Sequence, residues 1–134
     1  MSKRPLRTTL SPVNLSFRGV PKAFHNITVN DLDDFGSEER AKVMEFISEY
    51  VTNLDDNFDN NQGIFMCGSN GVGKSFISSL IVKEAYRHRY TSKRCTYVDY
   101  INEFTKMWNC KDLDQKVELE ALFYHNYKAV EFLC

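Results

Sequence analysis

The chain has 134 residues, of which 43% are hydrophobic and 26% charged, the balance of an ordinary globular domain. Its net charge of −1 leaves no overall field to favour a nucleic acid or a membrane surface. No apolar run is long enough to span a bilayer or to act as a signal core. Cys67, Cys95, Cys110 and Cys134 show no C-x-x-C spacing, so reduced thiols and a cytoplasmic location are expected.

Residues 1–19 read as a flexible basic arm, with Lys3, Arg4, Arg7 and Arg18, and with Pro5 and Pro12 against regular structure. A solvated terminus and a nucleic-acid contact are both open to it. Residues 20–28 form an irregular segment that Phe24 and Ile27 can anchor, and a short acidic piece, 31–35, closes on Gly36 and Ser37. Ser37 is a suitable N-cap, and Glu38 and Glu39 follow where the helix dipole favours them. Val43, Met44, Phe46, Ile47, Tyr50, Val51 and Leu54 then predict one apolar helix face. Residues 55–62 read as a polar loop. Ile64, Phe65, Met66 and Cys67 read as a buried parallel strand.

The centre of the chain is Gly68, Ser69, Asn70, Gly71, Val72, Gly73, Lys74 and Ser75, which matches G-x-x-x-x-G-K-[ST] at every fixed position. The spacing has a chemical reason. A polyphosphate needs several backbone N–H groups converging on it, and glycines let the chain come that close. The helix that follows, starting through Phe76, adds its unpaired amides and the positive end of its dipole. Lys74 would reach the β- and γ-phosphates of ATP, and the Ser75 hydroxyl would hold Mg²⁺. The phosphate site expected from sequence is therefore residues 68–76.

Apolar residues at Phe76, Ile77, Leu80, Ile81 and Ala85 predict a helix to about Tyr90. Its cationic end, Arg87-His88-Arg89, suits the dipole. Residues 94–99 read as a second strand, with Asp99 as the cap of a helix through Ile101, Phe104 and Trp108. Another helix starts near Asp112 and carries Val117, Leu119, Leu122 and Phe123. Residues 129–134 read as the opening of a third strand.

Alternating strands and helices imply an α/β fold with a largely parallel sheet. A helix and an aromatic segment ahead of the phosphate loop resemble the AAA+ superfamily of P-loop NTPases. Residues 20–28 with Phe35, residues 63–80, and residues 97–104 (Tyr-Val-Asp-Tyr-Ile-Asn-Glu-Phe) resemble its helicase-loader branch, the DnaC/DnaI and IstB-like ATPases. The likeness implies that residues 20–134 are the N-terminal portion of an AAA+-type ATPase domain, ending at the third strand. It also implies ATP and Mg²⁺ as cofactors, and Phe24 and Ile27 near the adenine. A replicative helicase and single-stranded DNA are the implied partners. The branch's Walker B acids, sensor and arginine finger are not in these residues, so binding without efficient hydrolysis is expected. A short nucleotide-binding module that recruits a partner without turnover, and a P-loop nucleotide kinase, are the alternatives. An open sheet edge would favour self-association into a homo-oligomer.

Overall fold

The computed structural model describes residues 5–69, 71, 73–128 and 132–133. Its first helix, α1 (Pro12–Phe17), starts where Ser11 accepts a hydrogen bond from the Asn14 amide and Pro12 supplies a preset φ. It lies within the segment expected to be a flexible arm, yet Leu15 is only 1% exposed. Two single 3₁₀ turns follow, Lys22–Phe24 and Val29–Asp31. Helix α2 (Glu38–Thr52) begins as its sequence predicts, with the Ser37 hydroxyl accepting from the Arg40 amide. Of its apolar face, Ile47 and Val51 are buried, while Val43 and Phe46 stay open to solvent.

The predicted polar loop after α2 is partly a helix, α3 (Leu54–Asp59). Leu54 is fully buried and anchors it, and the Tyr90 hydroxyl donates to Asp55 at 2.5 Å. Asp55 and Asp56 also sit in the first turn, where negative charge stabilises a helix. Helix α4 (Lys74–Arg87) is the centre of the molecule, and every residue of its second half from Ser79 to Tyr86 is buried. A helix enclosed on all sides needs partners on all sides. One face packs Ile77, Leu80 and Ile81 against Ile47 and Val51 of α2. A second packs Val82 and Tyr86 against Leu15 and Val20. A third sets Ala85 against Leu54 and Tyr90.

Beyond α4 come β1 (Ser92–Lys93), α5 (Tyr97–Asn109) and α6 (Leu113–Phe123), then a π-helical turn, Tyr124–Lys128, and β2 (Phe132–Leu133). Tyr100 and Phe104 of α5 both meet Phe123 of α6, with ring centroids 5.3 and 5.8 Å apart.

The expected α/β P-loop NTPase fold with a largely parallel sheet is not the fold observed. Regular structure is mainly helical, and the β pairing among the described residues is one parallel pair of two-residue strands, β1 with β2. Residues 64–67 do alternate as an extended chain should, Ile64 and Met66 turned inward and Phe65 and Cys67 outward. They have no ladder partner among the described residues, and Phe65 is 92% exposed. The predicted strand at 94–99 fails for a local reason. Thr96 accepts from the Asp99 amide and donates to the Asp99 carboxylate, a reciprocal cap that starts α5 at Tyr97. Asp99 is thus inside the first turn rather than the cap itself. Of the predicted third strand, Phe132 and Leu133 form β2, while Ala129, Val130, Glu131 and Cys134 lie outside the described residues.

Candidate phosphate-binding site

The loop between residues 67 and 74 runs directly into the N-terminus of α4. Gly71 has φ +80° and Gly73 φ +103°, a region that L side chains enter only with strain. Gly73 is the N-cap residue, and no side chain caps the helix there. The capping serines, threonine and aspartate of α1, α2, α5 and α6 have no counterpart at α4. Among the described residues, no side chain caps its first amides, which suits them to another acceptor.

Lys74 is the first residue of α4, and its ammonium turns back over the loop. Nζ donates to the Gly68 and Ser69 carbonyls, at 2.7 Å each. The loop thus curls around a cation. Ser75 is exposed in the first turn, and Phe76 is half-buried, edge-on to Phe24 with centroids 5.8 Å apart. Asn70 and Val72, also expected in the site, lie outside the described residues.

Two clefts border the loop. The larger, about 700 Å³, lies between α2 and residues 64–69, with Val43, Phe46, Phe65, Met66 and Lys74 among the residues that line it. The smaller, about 250 Å³, places Leu32, Phe35 and Phe76 beside Gly71 and Gly73, with Asp31 and Asp33 on its rim. Arg40 borders both and lies 5.2 Å from the centroid of the Phe35 ring. Phe35 itself takes φ +49°, an uncommon conformation for a bulky residue. Phe24 and Ile27, expected near the base, line neither of these two clefts, although Phe24 meets the Phe76 ring. Phe24 packs at the α1 cluster and Ile27 at the α2–α4 core.

Sequence reasoning missed Arg94. Its guanidinium reaches α4, with Nε donating to Ser78 Oγ at 3.1 Å and Nη2 to Ser75 Oγ at 3.4 Å. No motif relates a residue so far downstream to the loop, so no sequence signal could have found it.

Of the basic residues of the arm, Arg7 and Arg18 are among the described residues, and both are engaged internally. Arg7 and Arg18 lie over the Tyr86 ring, at 4.3 and 3.9 Å from its centroid. Arg18 also donates to the Ser92 carbonyl, and Arg7 to the Tyr86 carbonyl. Burial pushes the Cys95 thiol above its ordinary pKa, so this cysteine is held in its less reactive form.

Among the described residues, no helix is long and apolar enough to cross a membrane. Comparison with protein-family models, with curated proteins and with solved structures returns no match for this chain.

Proposed function

We propose that this chain binds a nucleoside triphosphate through residues 68–76. The observation that carries the reading is the loop itself: two left-handed glycines deliver an uncapped helix N-terminus, and the Lys74 ammonium sits inside the curl. Oriented amides, a helix dipole and a fixed cation are what a polyphosphate needs. The adjoining cleft of about 700 Å³ falls in the usual size range for small-ligand sites, and its apolar walls suit a base and sugar.

Mg²⁺ fits the same place. It takes few protein ligands and keeps phosphate oxygens and waters, and the exposed Ser75 hydroxyl offers one hard oxygen. When bound, the ion neutralises charge on the phosphates. By sequence resemblance the nucleotide is ATP, bound in the cytoplasm without efficient hydrolysis, as part of a helicase-loader-type ATPase whose partners are a replicative helicase and single-stranded DNA. That role rests on sequence stretches rather than architecture, and one of them, residues 97–104, is helical here.

A second reading has one observation in its favour. Trp108, Leu113 and Val117 on α5 and α6 are more than half exposed, a surface that suits a protein partner. In that case nucleotide would control recruitment without turnover.

The test is equilibrium titration with a fluorescent ATP analogue. Lys74→Ala should weaken binding by about tenfold to a hundredfold, the worth of a charge-assisted contact. Equal affinity in the two proteins would refute the site.

A further inference from the structure

The chain at Arg94 is held in place on two sides. Ser92 Oγ donates to the Val82 carbonyl of α4 at 2.9 Å, and the Arg94 amide donates to the Arg18 carbonyl at 2.7 Å. Gly19 presses against the Arg94 carbonyl so closely that a Cβ at position 19 would lie 2.0 Å from that oxygen. The backbone at residue 94 is therefore fixed relative to α4, and its side chain starts from a defined point.

The far end of the side chain is less well satisfied. A guanidinium pairs best with a planar or tetrahedral anion, through two parallel charge-assisted bonds. Here it rests on two neutral hydroxyls, and the 3.4 Å contact to Ser75 is near the limit of a hydrogen bond. Among the described residues, no carboxylate forms an ion pair with it. The hydroxyls belong to the first two turns of α4, beside the uncapped amides.

We propose that Arg94 is the second cation of the phosphate site. Its guanidinium rests on Ser75 and Ser78 and turns onto the phosphate oxygens of a bound nucleotide. This rests on the reading of residues 68–76 as the phosphate loop. A hydroxyl that accepts from a guanidinium is a poor inner ligand for a dication at the same time, because the two like charges would lie side by side. Arg94 in its rest position and Mg²⁺ therefore compete for that hydroxyl. Without the metal, Arg94 supplies the positive charge that the phosphates still require. Arg94 acts as a stand-in for the metal and matters most in its absence.

The experiment compares the affinity of N-methylanthraniloyl-ADP with and without Mg²⁺, the latter in excess EDTA. The proteins are the unaltered chain, Arg94→Gln, Arg94→Lys and Lys74→Ala, each with its thermal midpoint measured. Arg94→Gln should lose about tenfold in affinity in EDTA and less than about twofold in Mg²⁺. Arg94→Lys should recover part of the EDTA affinity, since it keeps the charge and loses the fork. Lys74→Ala should lose affinity in both conditions. Equal affinities of Arg94→Gln and the unaltered chain in EDTA would overturn the proposal. So would equal losses in both conditions, which a merely structural role would give. If the unaltered chain binds no nucleotide in either buffer, the phosphate-loop reading falls, and this proposal with it.

Discussion

Gly19 and Gly73 share a backbone geometry and differ in their surroundings. Both have φ well into the left-handed region, but a Cβ on Gly73 would meet none of the described residues, while one on Gly19 would strike a backbone carbonyl. Gly73→Ala should therefore cost about 1–2 kcal/mol from conformation alone. Gly19→Ala carries the same strain plus an overlap that a backbone oxygen cannot rotate away from. It should cost a further 1–3 kcal/mol or so, the range for forced overpacking. Urea unfolding of the two variants checks the order, and a Gly19→Ala variant no less stable than Gly73→Ala would contradict it. The demand at Gly73 was legible in the motif. That at Gly19 was not, because its cause is Arg94, a contact between residues far apart in the chain.

At the level of elements, α4 carries an ionisable group inside the molecule. Lys83 is 5% exposed, and its Nζ donates to the Ile27 carbonyl at 2.6 Å, tying the pre-loop segment to the helix. Burial holds its pKa below 10.5, with Glu84 and Asp31 acting the other way. The unfolded chain therefore binds this proton more tightly than the folded one. Below the lowered pKa both states are protonated, and the cost of burying the charge is constant. Between that value and 10.5 the cost is relieved, so stability from this group rises with pH. Against Lys83→Met, the unaltered protein should gain in urea midpoint as pH rises from the lowered pKa toward 10.5. A constant difference would show that the group does not titrate there.

Elements with local causes were readable in advance. Ser37 started α2, and Asp112 caps α6 at the predicted place, accepting from the Asp114 and Gln115 amides. Where the reading failed, a competing local signal had been outweighed by residue type. The aromatic and β-branched residues at 96–98 suggested a strand, yet the Thr96–Asp99 pair and the helical spacing of Tyr100 and Phe104 toward Phe123 decide for α5. Similarly, the run at 64–67 has strand chemistry without a neighbouring strand to pair with among the described residues. Strand propensity describes fitness for a sheet and does not supply one.

For the molecule as a whole, the loop and its lysine were readable, but the architecture around them was not, because pairing partners lie far apart in sequence. One consequence of that architecture is the amount of apolar surface left outside. Phe65, Trp108, Tyr97 and Leu113 are each more than two-thirds exposed, on the loop side and on the α5–α6 pair. Surfaces of this kind associate in water. Light scattering should give an apparent mass above the 15.6 kDa of one chain, rising with concentration. A constant monomer mass across that range would count against it.

The N-terminal segment closes over the far end of α4. The Arg7 amide donates to the Arg87 carbonyl, and the Arg89 guanidinium to the Pro5 carbonyl. A segment that precedes α4 by more than fifty residues thus has its partners in and just after that helix. Its docking must wait for α4, and it closes a long loop at an entropic cost that local contacts do not bear. During synthesis, Leu15 and Val20 leave the ribosome before Val82 and Tyr86 exist to cover them. A piece of this protein made before α4 finds its place only after α4 is made.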